Sequence, residues 1–341
     1  MELPLTLRIA LDRALEHVKP SDLARATSEL SDRYRERDDR SQFLRSDMDV
    51  LAYGAYRLPA TYAAVSAALA AVKDVMPDWH PRSLLDVGAG PGTAAWAAGE
   101  TWSSVKDVEL VEGDERMVAF GKHLMNEAEG TILSAARWSK KDLLDPMAEE
   151  QRDLIIAAYV LGELDATRRR PLLKRLWKDS SGVLMLVEPG TPAGFEVLRA
   201  ARVLLIQWGA HVVAPCPHSS ACPMANGDWC HFSRRLARSR AHRDAKDVTM
   251  GYEDEKYSYV AVTGMSVAPV HSRVLRHPQV RPGHIRLELC TRDGLQHSVV
   301  TKKDKAQFRE ARHANWGSAI RLSRGAEDRD PAAASQSQNG P

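Results

Sequence analysis

The chain has 341 residues, of which 44% are hydrophobic and 27% charged, and its net charge at pH 7 is +2. That length accommodates one large α/β domain with additions or two domains, and the apolar share is ordinary for a globular protein. The near-neutral charge gives no reason by itself to expect a nucleic-acid partner. No apolar run reaches the length of a membrane span, so no membrane partner is expected.

The N-terminal segment reads MELPLTLRIALDRALEHV. The acid at Glu2 and the amphipathic pattern fit neither a secretion signal nor a transit peptide, which is rich in arginine and serine and poor in acids. We therefore expect a cytoplasmic protein. Residues 5–18 repeat apolar side chains at helical spacing, and Pro20-Ser21-Asp22 ends that helix and caps the next.

Residues 53–61 interrupt the helical pattern before an alanine-rich helix at 62–75, so residues 1–80 are predicted to form a helical N-terminal region. The chain then alternates strand and helix up to residue 190. The predicted strands are 83–87, 107–111, 154–159 and 183–187, and the predicted helices are 92–100 and 115–127. This alternation indicates a parallel sheet with both faces covered.

A further helix is predicted at residues 195–209, and a cysteine-rich insertion follows at 211–256. The apolar segments 257–262 and 285–289 are expected to add antiparallel strands at the edge of the same sheet. Residues 81–322 would then form one domain with this insertion. The small and polar residues 323–341 are predicted to form a disordered tail.

The segment LLDVGAGPGT runs from a predicted strand through glycines into a helix. Glycines let the backbone approach a ligand closely, and the N-terminus of a helix presents unpaired N–H groups. A dinucleotide-binding turn requires Gly-x-Gly-x-x-Gly. Here Asp86, Gly88, Gly90 and Gly92 give Asp-x-Gly-x-Gly-x-Gly, which is similar to the first motif of class I S-adenosylmethionine-dependent methyltransferases. The alternative is a glycine-rich loop of another doubly wound, Rossmann-like protein.

The acids near this turn suit S-adenosylmethionine. This ligand carries a sulfonium and an ammonium group and no pyrophosphate, so a carboxylate at Asp86 is favourable. The second strand ends in Val111-Glu112-Gly113-Asp114, where Glu112 is placed to accept hydrogen bonds from both ribose hydroxyls. Asp142 is a further candidate for the adenine end of the ligand.

The segment Asp153–Glu163, which forms the fourth strand and its end, gives no familiar catalytic motif. Methylation of amino groups on bases often uses Asn/Asp-Pro-Pro-Tyr/Phe at this place, and that motif is absent. Methylation of cytosine C5 needs a cysteine nucleophile, and no cysteine lies nearby. Tyr159 and Glu163 either face the donated methyl group or pack beneath the next helix. The catalytic residues therefore remain unknown at this point.

The four cysteines of the chain form a second candidate site. Three of them, Cys216, Cys222 and Cys230, lie in one short loop, and Cys290 lies on the predicted strand 285–289 or directly after it. All four meet if the loop folds back on that strand. Thiolates suit zinc or an iron–sulfur cluster, and the spacing leaves both open, with free cysteines as the third interpretation.

Two short stretches concentrate positive charge. The first contains Arg234, Arg235, Arg238, Arg240, Arg243 and Lys246, and the second contains Lys302, Lys303, Lys305, Arg309 and Arg312. From charge alone, two solvated helical faces explain these stretches as well as contacts with RNA do.

Several segments together resemble one family. They are AYGAYRLPATYAAV, LLDVGAGPGTAAWA, DLIIAAYVLGEL, LVEPGTPAGF, CPHSSACPM, DWCHFSRR, KYSYVAV and KKDKAQFREARHANWG. Over residues 45–320 they are similar to the methyltransferase-like family of the mitochondrial small ribosomal subunit, whose members include methyltransferase-like protein seventeen and bacterial relatives.

The resemblance implies a class I methyltransferase fold, binding to the small ribosomal subunit during its assembly, and a 4Fe–4S cluster. The cluster ligands would be Cys216, Cys222, Cys230 and Cys290, each of which is present. The resemblance also favours ribosomal RNA as the partner of the second basic stretch. The candidate RNA contacts are Lys302, Lys303, Arg309, Arg312 and Trp316.

The sequence thus predicts an S-adenosylmethionine-binding, methyltransferase-like protein that acts on the small ribosomal subunit and its RNA and is monomeric away from the ribosome. Two alternatives stay open. One is a catalytically inactive assembly factor that keeps the fold, and the other is an active ribosomal RNA methyltransferase with zinc in the cysteine site.

Overall fold

The computed structural model describes residues 1–36, 44–128, 130–145, 150–225, 227–246, 249–268 and 270–322. Helical segments fill the N-terminal part, as predicted, and they are α1 (Leu5–Leu15), α2 (Pro20–Glu36), α3 (Asp47–Ala52), a π-helical turn (Tyr53–Arg57) and α4 (Leu58–Val75). Among the described residues, no helix is long and apolar enough to cross a membrane. The predicted tail at 323–341 lies outside the described residues.

The predicted break at residues 53–61 is wrong, because the chain continues from α3 through the π-helical turn into α4. Pro59 stands two residues after the π-helical turn, where the regular helical hydrogen-bond pattern is already interrupted. The start of α3 is fixed by a capping box between Ser46 and Asp49. The Asp49 carboxylate also accepts a hydrogen bond of 2.5 Å from Arg33 of α2.

The next part of the chain builds the main sheet. Its strands are β1 (Ser83–Val87), β2 (Asp107–Glu112), β3 (Arg137–Lys140), β4 (Arg152–Ala158), β5 (Ser180–Pro189), β6 (His211–Ala214), β7 (Phe232–Ala237) and β8 (Tyr252–Thr263). The accompanying helices are α5 (Thr93–Thr101), α6 (Glu115–Asn126), α7 (Ala166–Asp179), α8 (Pro192–Gln207) and α9 (Arg240–Lys246).

The strand order is β3-β2-β1-β4-β5-β8-β6, with β7 also paired to β8. Strands β1 to β5 pair in parallel, whereas β8 runs antiparallel to β5, β6 and β7. This order, with its reversed strand next to β5, is that of the class I methyltransferase fold. The predicted class I methyltransferase, Rossmann-like α/β fold is therefore confirmed, and the metal-binding character of the predicted insertion is not.

Alternation along the strands gives the sheet two apolar layers. Leu154 and Ile156 of β4 lie in the layer formed with α4, α5 and α6. Ile155 and Ala157 lie in the other layer, which is formed with α7 and α8. Both faces of the central strands are thus buried, which explains why these segments read as continuous apolar runs.

Neither of the two segments predicted as edge strands, 257–262 and 285–289, lies at the edge of the main sheet. The segment 257–262 belongs to β8, which is an internal strand because β6 and β7 share its outer edge. One interpretation of the first basic stretch was a solvated helical face, but Arg234 and Arg235 lie on β7 and only the part from Arg240 onward is helical. The alternation of apolar and charged residues in Phe232–Ala237 has the period of a strand.

The segment 285–289 belongs to a second sheet and does not extend the main one. Its strands are β9 (Ser272–Val274), β10 (Gln279–Arg281), β11 (His284–Thr291), β12 (Gly294–Thr301) and β13 (Ala319–Ile320). Helix α10 (Lys305–His313) packs on one face and buries Ala311 against Ile285, Leu287 and Val300. The second sheet therefore has its own small core.

Candidate functional site

The glycine-rich loop follows β1 at the carboxyl ends of the parallel strands. Gly88, Gly90 and Gly92 have φ angles of 65°, 53° and 81°, in the left-handed region that favours glycine. A Cβ atom on Gly88 would lie 2.5 Å from Cγ2 of Val160. The backbone N–H of Gly88 donates to the carbonyl of Val111 at 2.9 Å, so the loop is tied to the end of β2.

Glu112 lies directly beside this loop. Its carboxylate accepts hydrogen bonds from the N–H of Gly90 at 2.7 Å and of Asp114 at 2.8 Å. Burial raises the pKa of Glu112, although these hydrogen bonds oppose the rise. The residue predicted to bind ribose is therefore at the mouth of the glycine loop, and the ribose contact itself stays a prediction.

Asp86 is held inside the fold, where its side chain fastens the loop. The residue is 1% exposed, and its carboxylate accepts a hydrogen bond of 3.2 Å from the N–H of Ala95 in the first turn of α5. Burial raises its pKa to about 7. In this arrangement Asp86 ties β1 to α5, and a direct contact with a cationic ligand stays a prediction.

Asp142 lies in the exposed turn after β3. Its carboxylate accepts a hydrogen bond of 2.9 Å from the N–H of Leu144 and is 3.9 Å from the guanidinium of Arg168. The residue thus closes a surface turn, and its predicted contact with adenine is untested.

Two further acids lie at one end of the cleft. Glu188 is buried at the end of β5 and accepts hydrogen bonds from the N–H groups of Leu161 at 2.8 Å and Gly162 at 3.2 Å. Burial raises the pKa of Glu188 to about 7. The side chain of Glu163 is partly open to solvent, but the surrounding protein displaces some of the water around its carboxyl group. This desolvation, together with the charges of Glu188 and Glu112, raises the pKa of Glu163 to about 8.

Tyr159 ends β4 in a strained backbone conformation, with a φ of 62°. Its hydroxyl donates to the carboxylate of Glu255 at 3.0 Å. The guanidinium of Arg57 lies 5.1 Å from the centre of the Tyr159 ring and 3.7 Å from Glu255. The tyrosine is thus fixed by β8 and by the π-helical turn.

The N-terminal helices also reach the cleft, which the sequence did not predict. The hydroxyl of Tyr53 lies 3.8 Å from the position that a Cβ atom on Gly90 would occupy. Burial raises the pKa of Tyr53. Together with Arg57, this residue comes from the segment YGAYR, whose small and aromatic residues were the available signal, although nothing local linked them to the glycine loop.

The cysteine loop folds back on β11, which is the condition under which the four cysteines were expected to meet. Cys222 and Cys230 pack with Trp229 on a small apolar cluster that contains Cys290. The Sγ atom of Cys290 is 3.7 Å from Nε2 of His218. Burial and the neighbouring thiols of Cys216 and Cys222 raise the pKa of Cys290 to about 12.

A metal centre is not shown by this arrangement. Within the described ranges, no group of three or more His, Cys, Asp or Glu side chains is placed to hold a metal ion. The donor chemistry and the dry surroundings suit a soft metal or an iron–sulfur cluster. The loop brings the thiols together without arranging them as ligands.

Hydrogen bonds from this loop connect the two sheets. Arg273 of β9 is 3% exposed, and its guanidinium donates to the carbonyls of Pro215 and Gly317, each at 2.9 Å. The hydroxyl of Ser258 on β8 donates to the carbonyl of Cys230 at 2.8 Å. The loop therefore fixes the second sheet against the main one.

The candidate RNA contacts lie on and around α10. Lys302, Lys303, Arg309 and Arg312 are exposed. Trp316 is different, because its indole N–H donates to the carbonyl of His231 at 2.8 Å and its ring packs edge-on between His231 and His277. Stacking of a base on Trp316, which the sequence suggested, would require these rings to move apart.

The strand order, the glycine loop and the acid after β2 define a methyltransferase-like protein. The family model of the mitochondrial small ribosomal subunit protein Rsm22 matches residues 47–321. The chain belongs to this Rsm22 family, which confirms the family resemblance found in the sequence motifs.

Two kinds of curated relatives are similar to this chain. The human mitochondrial ribosome assembly protein METTL17 is 29% identical over 79% of this chain and 62% of its own length. The mitochondrial Rsm22-cox11 tandem proteins 1 and 2 of Schizosaccharomyces pombe are 27% identical over 83% of this chain and 44% of their own length. The chain therefore spans about half of the length of these relatives.

Among solved structures, magnesium protoporphyrin IX methyltransferase from Synechocystis with bound S-adenosylmethionine aligns with 69% of this chain and 91% of its own. The sequence identity is 13% and the TM-score is 0.39, a distant likeness that adds nothing about function.

The expected cytoplasmic location is wrong. The family model and the curated relatives are mitochondrial, which points to the mitochondrion. The prediction rested on the amphipathic pattern of the N-terminal segment. In the structure this pattern belongs to α1, which buries Leu7, Ala10 and Leu11, so it reflects packing and carries no information about location.

Glu188→Gln should remove part of the pH dependence of stability. The folded protein raises the pKa of this carboxyl from 4.5 to about 7, so it binds the proton more tightly than the unfolded chain does. The free energy of unfolding of the wild type should therefore fall, by roughly 3 kcal/mol from this group, as the pH rises from about 4.5 to about 7. Glutamine keeps an oxygen for the two N–H groups but does not titrate.

Urea unfolding at about pH 5 and about pH 7.5 measures this difference. Glu196→Gln on the exposed side of α8 is the matched control and should leave the wild-type pH dependence unchanged. An identical loss of stability with pH in the wild type and in Glu188→Gln would contradict the role given to this carboxyl.

Proposed function

We propose that this protein binds S-adenosylmethionine and acts on the small ribosomal subunit through its ribosomal RNA. The observation that carries the cofactor assignment is the glycine loop, whose three left-handed glycines bring the backbone beside the Glu112 carboxylate. The ribosomal partner is supported by the Rsm22 family and by the ribosome assembly role in the name of METTL17.

The residues of the cleft fit the chemistry of this cofactor. The loop of Gly88, Gly90 and Gly92 leaves space against the backbone, and Glu112 would take the ribose hydroxyls. Glu163 and Glu188 have raised pKa values, and the sulfonium and ammonium groups of the cofactor would favour the ionised forms of these carboxyls. When bound, S-adenosylmethionine supplies a methyl group that is activated for transfer to a nucleophile.

Gly88→Asp should abolish cofactor binding. The substitution places a side chain at a φ of 65° and within 2.5 Å of Val160, which displaces the loop. Titration calorimetry with S-adenosylmethionine should show an affinity at least about 100-fold lower, equivalent to about 2.7 kcal/mol.

Gly130→Asp is the control for backbone strain. Gly130 also has a left-handed φ of 77°, but nothing lies within 4 Å of its Cβ position and it is outside the cleft. This variant should bind the cofactor like the wild type. Wild-type affinity in a folded Gly88→Asp protein would refute the cofactor assignment.

Catalysis and a purely structural role are the two candidate functions, and each has an observation in its favour. For catalysis, a carboxyl at Glu163 with a pKa of about 8 suits proton transfer near neutral pH. For an assembly factor without turnover, the end of β4 offers no familiar catalytic motif, and the Tyr159 hydroxyl is already bonded to Glu255.

Mapping ribosomal RNA methylation in a deletion strain separates these functions. If the protein is an enzyme, one methyl group is missing from small-subunit RNA and returns with the wild-type gene but not with Gly88→Asp. If it is an assembly factor, subunit assembly fails although every methyl group is present. The Gly130→Asp gene is the control and should behave like the wild type in both cases.

We also propose that the cysteine loop holds a 4Fe–4S cluster through Cys216, Cys222, Cys230 and Cys290, with zinc as the alternative metal. Support comes from the proximity of the thiols, from their apolar surroundings and from the soft-donor chemistry of thiolates. A cluster there would fix the loop between β6, β7 and β11. It is a structural role, and no step of methyl transfer passes through it.

Cys222→Ser should remove the cluster and lower stability together, because metal binding contributes directly to the folding free energy of such loops. Protein purified without oxygen should be brown and contain about four iron atoms per chain in the wild type. Ser220→Ala in the same loop is the control and should keep both colour and iron. A colourless, folded and zinc-loaded wild type would show that zinc is the metal.

A further inference from the structure

In the part of the chain that the structure describes, no helix packs on one face of the second sheet. Because α10 covers the face of Ile285, Leu287 and Val300, the residues that alternate with them along the strands point to the opposite side. In one cross-strand row, Gln279 of β10, Arg286 of β11 and Val299 of β12 lie side by side, and all three are exposed. We call the surface of Gln279, Arg281, Arg286, Leu295, His297 and Val299 the open face.

The cysteine loop marks one end of this surface. Leu295 lies opposite Cys290, which lies opposite Arg273 on its other side. Arg273 and Cys290 are buried beneath the loop, whereas Leu295 is 45% exposed. The open face therefore begins where the cysteine loop ends.

Predicted RNA-binding lysines mark the other end. The N–H of Lys302 donates to the carbonyl of Gly283 in the turn between β10 and β11 at 3.1 Å. This bond places Lys302 and Lys303 beside Arg281, which is also exposed. Arg281 and Arg286 thus continue the positive charge of these lysines along the open face as far as Glu288, an acid that lies opposite His297 on the same face.

The charge of this part of the chain is unusual. Residues 271–322 contain eleven lysines and arginines and four aspartates and glutamates, a net charge of +7, whereas the whole chain has +2. The remainder is therefore net −5. Arg281 and Arg286 form no ion pair with any residue in the described ranges, so their charges are available to a partner.

We propose that the open face binds a single-stranded or loop segment of the small-subunit ribosomal RNA, an inference that rests on the proposed function. Guanidinium groups bind phosphates and stack on unpaired bases, while exposed apolar side chains such as Val299 support a ribose or base. The net charge of +7 over residues 271–322 favours a polyanion such as RNA over a protein as the partner.

RNA binding to the open face differs in its path from RNA binding to α10. The helix buries its Phe308 and Ala311 side against the small core and presents Arg309 and Arg312 on the far side of the sheet. RNA bound to α10 would therefore lie away from the cysteine loop, whereas RNA on the open face runs towards it. Charge reversals on the two surfaces distinguish these paths.

The test measures binding of the full chain to a transcript of small-subunit ribosomal RNA from the same source, across a series of salt concentrations. The double variant Arg281→Glu and Arg286→Glu should bind about 10- to 100-fold more weakly. The slope of log K against log salt should fall by about 2, since two phosphate contacts are lost. Arg170→Glu with Lys174→Glu on exposed positions of α7 is the matched control and should change affinity less than about 3-fold.

Unchanged affinity of the open-face variant overturns the inference, as does an equal loss in the α7 control. A loss confined to Arg309→Glu with Arg312→Glu assigns the RNA to α10 instead. Failure of the proposed function gives a different result, because the wild type would then bind ribosomal RNA no more tightly than an unrelated RNA of equal length. Titration with S-adenosylmethionine and thermal unfolding show that each variant keeps its fold.

Discussion

Strand β8 is the constraint on which the rest of the structure depends. It pairs with β5 along one edge, while β6 and β7 divide the other edge between them. The cysteine loop is the connection between β6 and β7, so its two ends are fixed by the same strand. Glu255 of β8 bonds to Tyr159 at the cleft, and Ser258 bonds to Cys230 in the loop. One strand therefore supports both candidate sites.

The electrostatics of the cleft follow from burial. Asp86 and Glu188 are nearly removed from water, and each spends its carboxylate on backbone N–H groups that shape the cleft. Burial raises the pKa of both to about 7, so keeping either carboxylate ionised near neutral pH costs folding free energy. The hydrogen bonds from backbone N–H groups offset part of this cost.

Local sequence patterns predicted the elements whose conformation depends on a few neighbouring residues. The glycine loop, the acid at Glu112 and the apolar runs of β1, β4 and β5 each carry their own signal in a few neighbouring residues. Strand β3 was missed because Arg137–Lys140 has no apolar run, and the π-helical turn was read as a break because it contains Gly54 and precedes Pro59.

Contacts between distant segments could not be predicted from local sequence patterns. Nothing near Tyr53 indicates that its hydroxyl lies over Gly90, and nothing near residue 285 separates an edge strand of the main sheet from a strand of a second one. The apolar alternation of β11 suits either sheet. Strand β11 belongs to the second sheet because it packs against α10 and because the cysteine loop lies between the two sheets. These are contacts between distant segments, which the local sequence does not reveal.

Arg273 has a consequence for how the molecule is oriented. Its guanidinium reaches one carbonyl in the cysteine loop and another beside β13, from a position that is almost fully buried. A planar fork spans both acceptors at once, whereas the single ammonium of a lysine satisfies one of them. Arg273 therefore links the orientation of the basic sheet to the loop that β8 holds beside the cleft, and an RNA bound to that sheet would approach the cleft from one side.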